Sequence, residues 1–169
     1  TYARMARLLG EPFVVKESFS SLGAGVHLVG GEGEFAALWE QIKLRPWLAQ
    51  AYVAESRGRD VRVIVVGGRA LGGMLRQSGG TDFRSNVAAG GSAAAFPLDD
   101  ALRTLAERAA AAVGAAFCGV DVLFGKDGYL VCEVNSNAYY GAFERATGQN
   151  VAGAYAEHIL CSLRGRAAQ

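Results

Sequence analysis

Two short polar-tipped runs constrain this chain more than any other feature. They are Gly119-Val120-Asp121 and Glu133-Val134-Asn135, joined through Lys126-Asp127-Gly128. The stretches around them, Gly119 to Phe124 and Tyr129 to Asn135, read as the arms of a β-hairpin. A three-residue loop with Gly128 in the left-handed position sets Phe124 opposite Leu130 and Asp121 opposite Glu133. Asn135, two residues beyond Glu133, falls on the same face. A slip of one residue would send the two carboxylates to opposite faces.

Two carboxylates held across neighbouring strands repel one another unless a cation sits between them. Oxygen donors alone favour magnesium or manganese over zinc. Asp121, Glu133 and Asn135 are therefore candidate metal ligands, although the same alternation suits a solvated strand face.

A second candidate is Lys16, at the end of the apolar run Phe13-Val14-Val15, followed by Ser18, Ser20, Ser21, Gly23 and Gly25. A lysine ammonium suits phosphate oxygens, and glycines let backbone N–H groups come close to them. The lysine precedes the glycines, so this is not a Walker loop. A hairpin turn with an exposed lysine explains the segment equally. A third candidate is Gly58-Arg59-Asp60-Val61-Arg62 with Arg76 and Asp82-Phe83-Arg84-Ser85-Asn86. Asp60 and Arg62 share a strand face by the two-residue period. Arginines near a carboxylate cluster fit a phosphate site, or else a set of surface ion pairs.

The rest of the pattern is α+β. Helices are predicted over residues 2–9, 33–42, 99–113 and 151–163 from apolar spacing and from stops at Gly10 and Gly114. Asp99 or Asp100 caps the third. Trp39 lies on the apolar stripe of the second and is expected in its core. Strands are predicted at 13–16, 26–29 and 47–54. Two more, Asp60 to Val66 and Arg69 to Arg76, flank a Gly67-Gly68 hairpin turn. Residues 77–95 read as one long loop of the kind that carries function.

Composition narrows the classes of function. A formal net charge of +1 over 169 residues gives no footprint for nucleic acid or an anionic membrane. No apolar stretch approaches a membrane span. Cys118, Cys132 and Cys161 lack CxxC spacing and read as reduced thiols of a cytoplasmic protein. His27 and His158 offer no metal-ligand spacing and read as structural. Tyr139 and Tyr140 fit either a surface or the wall of an acceptor pocket.

Taken together, Lys16 with its glycine loop, "AYVAESRGRDVRVIVVGG", "FRSN…GG", "GVD" and "EVN" follow one another in the order and approximate spacing of RimK-like ATP-grasp ligases. The resemblance runs from about Pro12 to Leu160. It implies an ATP-grasp fold of two lobes, antiparallel sheet plus helices, with nucleotide between them. Residues 1–53 would be a lid lobe and residues 54–169 the catalytic lobe. Members of that family also carry an N-terminal domain for which this sequence has no room.

By the same resemblance, Lys16 bridges the α- and β-phosphates, and Ser20, Ser21, Gly23 and Gly25 belong to the lid loop. Ala51, Tyr52 and Val53 form the adenine hinge, with Glu55 and Asp60 near nucleotide positions. Arg84, Ser85 and Asn86 match the nucleotide and acyl-phosphate segment, with Arg76 beside the transferring phosphoryl group. Asp121, Glu133 and Asn135 match the ligands of two magnesium ions. The implied activity is ATP-dependent ligation of a carboxylate to an amine through an acyl phosphate. Glutamate or another amino acid would be added to a peptide or small-molecule acid, and a homo-oligomer is compatible with the family. The family often follows "EVN" with Ser-Ser-Pro-Gly, whereas this chain has Ser136-Asn137-Ala138-Tyr139-Tyr140-Gly141, which leaves the acceptor open. The alternatives are a glutathione-synthase-like ligase, which "GRDVR" with "FRSN" argues against, and a nucleotide-binding module without turnover.

Overall fold

The computed structural model describes residues 1–20, 23–85 and 90–167. The chain divides into two units, Thr1–Ala54 and Glu55–Gln169. Each carries one antiparallel sheet. Ser21 and Asn86 lie outside the described residues.

In the first unit, strand β1 (Phe13–Glu17) is flanked by β2 (Val26–Val29) and β3 (Trp47–Ala51). The two-residue period of β1 sends Phe13 and Val15 into a core with Val29, Phe35, Leu38 and Ile42. Helices α1 (Tyr2–Leu9) and α2 (Glu32–Ile42) supply the rest of that layer. Val14 and Lys16 therefore occupy the opposite face. Trp39 departs from expectation: it is 38% exposed and lies with its ring 6.0 Å from those of Phe35 and Trp47. Phe35, Leu38 and Ile42 already fill the inner stripe, so Trp39 closes its edge.

The second unit is a five-stranded sheet in the order β6-β5-β4-β7-β8. Its strands are β4 (Arg59–Val66), β5 (Arg69–Gln77), β6 (Ser92–Phe96), β7 (Phe117–Gly125) and β8 (Gly128–Asn135). Odd positions of β4 (Val61, Val63, Val65) pack with Val120, Val122 and helix α3 (Asp100–Ala112) through Leu102, Ala106 and Ala110. Asp99 caps α3, accepting a hydrogen bond from the Leu102 N–H at 2.7 Å. Even positions of β4 face the other way. Ile64 and Val66 meet Met74, Phe143 and Val151 under helices α4 (Gly141–Thr147) and α5 (Val151–Ala167). Toward the start of β4 that face turns polar, at Asp60 and Arg62.

Two elements escaped the sequence pattern. β6 lies inside the stretch expected to be loop. Its Ser-Ala-Ala-Ala-Phe sequence has little intrinsic strand preference and becomes a strand by pairing with the edge of β5. α4 is too short for a periodic signal, and it ends at Gly148 in the left-handed conformation, φ 71°.

Candidate active site

Each of the two central hairpins carries one extra residue on its outer strand. Gly67 and Gly68, φ 57° and 77°, close β4 onto β5 with Val66 opposite Arg69, the two-residue turn expected for a glycine pair. If that register held, Asp60 would face Leu75. Between Ala70 and Gly72 the ladder shifts by one residue at Leu71, and Asp60 comes opposite Arg76 instead.

The β7–β8 hairpin repeats the device and corrects the expected turn. Gly125 pairs with Gly128 and Phe124 with Tyr129, so the loop holds two residues and Leu130 faces Leu123. This is the one-residue slip that would separate the carboxylates. A bulge at Cys132 reverses it, and Asp121 stands opposite Glu133 and Gly119 opposite Asn135.

These registers assemble one polar surface across three strands. Arg62 of β4 is opposite Asp121 of β7 and grips it with two hydrogen bonds, Nε to Oδ1 at 2.7 Å and Nη2 to Oδ2 at 2.8 Å. Arg76 binds Asp60 in the same two-pronged way, Nε to Oδ1 at 2.7 Å, and its Nη2 also reaches Asp121 Oδ2 at 2.8 Å. Asp60 and Asp121 are only 5% and 3% exposed. Burial pushes the Asp121 carboxyl up, but Arg62 and Arg76 outweigh it and hold the group below its usual range. For Asp60 burial prevails over Arg76, and the neighbouring Asp121 charge adds to the rise. Burial favours a neutral Arg76, but the Asp60 and Asp121 carboxylates reverse this and lock its charge on.

Glu133 stands apart, exposed on the outer strand. The Asn135 amide donates to Glu133 Oε1 at 3.0 Å and to Asp121 Oδ2 at 3.4 Å. A donor thus lies between the two carboxylates, where a cation would satisfy both. Turning the amide over presents its oxygen to the same place. Two carboxylates and one amide oxygen suit a hard divalent ion. Among the described residues no three His, Cys, Asp or Glu side chains gather into a metal cluster.

Gly119 explains the glycine of "GVD". A side chain there would lie 2.7 Å from the Ala138 Cβ and 3.5 Å from the Arg62 side chain. Its absence lets Ala138 and the Arg62 stem close over the strand. Tyr140 stacks edge-on against Phe117, whereas Tyr139 is 88% exposed.

The remaining expected residues belong to elements of both units. Lys16 is half-buried on β1 between Val26 and Leu48. The Gly25 N–H donates to Ser20 Oγ at 2.7 Å, and a Cβ on Gly25 would come within 2.6 Å of Ser20. Gly23, φ 77°, turns the chain beside it. Ala51 ends β3, and Tyr52 and Val53 follow, half-buried. Glu55 is exposed in a 3-10 turn, Ala54–Ser56. Asp60, expected near nucleotide, has both oxygens on Arg76. Arg84 reaches Asp82 at 2.7 Å, and the Ser85 hydroxyl bonds Asp60. Arg62 belongs to the third candidate group but was given no role of its own there; the register of β4 on β7, which sets it opposite Asp121, supplies one.

The model of the RimK-like ATP-grasp domain matches residues 3–159. Beta-citrylglutamate synthase B of Danio rerio is 40% identical over 163 residues, which cover 95% of this chain and 40% of that protein. N-acetylaspartylglutamate synthase A of Homo sapiens is 37% identical over 163 residues, covering 95% and 42%. The chain thus spans about two fifths of the length of these relatives. In fold it is similar to the ATP-grasp ligase PsnB, solved with a precursor variant, Mg and ADP, at TM-score 0.72 and 22% identity, covering 95% of this chain and 49% of that one. The chain belongs to the RimK-like ATP-grasp domain family.

Proposed function

We propose that this chain is the catalytic part of an ATP-dependent ligase that joins an amine to a carboxylate through an acyl phosphate. The observation that carries this reading is the meeting of Asp121, Glu133 and Asn135 on one face beside two arginines. The three oxygen donors would hold magnesium, two ions in our reading, with manganese the other hard ion they suit. When bound, the ions neutralise charge on the phosphoryl oxygens.

The chain's own groups do the positioning. Arg62 and Arg76 keep Asp121 ionised and aimed. Arg76, its charge fixed by two carboxylates, stabilises the negative charge of the transferring group. Asp60 lies near the nucleotide and acts through Arg76. Lys16 takes phosphate charge, and Ser20, Ser21, Gly23 and Gly25 line the loop that follows it. Ala51, Tyr52, Val53 and Glu55 serve the base and ribose, while Arg84, Ser85 and Asn86 serve the acyl phosphate. Chemistry of this kind depends on orientation more than on a dedicated acid–base pair. The names of the two relatives support glutamate as the amine and a small acid such as citrate or N-acetylaspartate as the acceptor. A peptide acceptor is the counterpart suggested by PsnB, which has also been solved with a precursor peptide.

The test is calorimetric titration with ADP and a non-hydrolysable ATP analogue, with and without magnesium. Magnesium-dependent binding by the wild type that disappears in Glu133→Gln supports the reading. ADP release is then assayed with ATP, glutamate and each acid. A folded wild type that binds neither nucleotide overturns it.

A further inference from the structure

We propose that Gly58 is a positioning residue, which docks residues 78–85 onto the start of β4 and thereby sets Arg84 and Ser85 for the reaction. The catalytic consequence rests on the ligase reading above; the docking rests on the contacts of Gly58 and its neighbours.

Gly58 holds this segment at both ends. Its N–H donates to the Phe83 carbonyl at 2.8 Å, and its own carbonyl accepts from the Ser78 N–H at 2.7 Å. Its φ of 68° is a conformation that side-chain-bearing residues avoid. A Cβ at this position would meet Ser78 Oγ at 2.8 Å and the Asp82 carbonyl oxygen at 3.0 Å. The hydroxyl can swing away; the carbonyl belongs to the docked backbone and cannot. Neighbouring contacts hold the segment in the same place. Ser78 Oγ donates to the Asp82 carbonyl at 3.1 Å, and Arg57 Nη2 donates to the Thr81 carbonyl at 3.1 Å. At the neck of the loop a Cβ on Gly79 would lie 2.5 Å from the Gly90 carbonyl oxygen. Two residues after Gly58, Asp60 accepts from Ser85. The glycine and the aspartate of "GRDVR" thus grip the backbone and the serine of "FRSN", which gives a physical reason for the two motifs to travel together.

Gly68 supplies the control. Its φ is 77°, yet nothing lies within 4 Å of a Cβ built there. Gly68→Ala therefore reproduces the backbone strain without disturbing any docked segment. Both variants are made in the full chain. Tryptic cleavage after Arg84 is followed by mass spectrometry, ADP release is measured with ATP, glutamate and citrate, and Tm is recorded for each. In Gly58→Ala, cleavage after Arg84 accelerates roughly tenfold as the segment opens locally. Misplacement of the reacting groups lowers kcat by roughly tenfold or more with little change in KM for ATP. Gly68→Ala stays near wild type in both while losing comparable Tm. Gly58→Asn, whose side chain tolerates positive φ but still carries the Cβ, gives the same result if the alanine variant does not fold. Cleavage no faster in Gly58→Ala than in Gly68→Ala overturns the docking. Faster cleavage with unchanged kcat overturns the positioning role. A wild type that does not turn over with these substrates and binds no nucleotide overturns the ligase reading, and the cleavage contrast still decides the docking.

Discussion

The β4–β5 and β7–β8 hairpins use one backbone device to opposite ends. Each closes through two residues, Gly67-Gly68 or Lys126-Asp127, and each carries one extra residue on its outer strand, Leu71 or Cys132. Beyond the bulge each sets a carboxylate of the inner strand against a charged side chain of the outer one. In the first hairpin the charges are opposite, Asp60 with Arg76, and the pair closes over itself in a buried setting. In the second they are alike, Asp121 with Glu133, and the outer carboxylate stays exposed. Opposite charges complete each other when water is removed, whereas like charges need a third party. The sign of one outer-strand residue therefore separates a brace from the proposed receptor for cations. Arg62 and Arg76 join the two by holding Asp121 from the braced side.

The largest expected effect breaks the brace. Arg76→Leu leaves Asp60 without its partner and Asp121 with one arginine fewer, both in a buried setting. A loss of about 3–5 kcal/mol in urea unfolding is expected for such an uncompensated buried charge. A loss under about 1 kcal/mol would mean that water reaches this pair in solution and that the two hairpins are less different than drawn.

A smaller effect tests the seam between the hairpins. Ser56 is 5% exposed, donates to the Arg59 carbonyl at 2.6 Å and accepts from the Phe124 N–H at 3.1 Å. Ser56→Ala leaves that part-buried N–H without its acceptor, at a cost of about 1–3 kcal/mol by thermal or urea unfolding. Magnesium-dependent nucleotide binding is expected to survive, since no proposed metal ligand moves. Loss of binding at matched stability would show that the seam holds Asp121 in place as well.

How much of this was readable in advance follows the same division. The β4–β5 turn was readable because two adjacent glycines admit the two positive φ values it needs. The β7–β8 turn was misread because Lys126-Asp127-Gly128 is also a good three-residue loop. The predicted pairing of Asp121 with Glu133 was nonetheless right, because the bulge at Cys132 cancels the error. No local signal marks that bulge: Val131-Cys132-Glu133 has no glycine or proline to announce it. The sharing of a face by Asp60 and Arg62 was visible from strand period alone. That Arg62 grips Asp121, 59 residues away, needs the register of β4 on β7, which is non-local. β6 escaped for a related reason, since a run of alanines becomes a strand only beside a partner.

The smallest expected effect on stability sharpens the comparison most. Glu133 is exposed, and among the described residues its side chain accepts one hydrogen bond, from Asn135. Glu133→Gln keeps size and hydrogen-bonding capacity while removing the charge. Its unfolding free energy is expected to stay within about 0.5 kcal/mol of wild type, as for most surface substitutions. Removing the like charge opposite Asp121 makes even a slight gain reasonable. The magnesium-dependent part of ADP binding is expected to vanish in the same variant. Arg76→Leu and Glu133→Gln then form a crossed pair, one failing chiefly in stability and the other in binding. A Glu133→Gln protein as destabilised as the arginine variant would make the second hairpin a brace as well. One that still bound ADP more tightly with magnesium would move the cation away from β8.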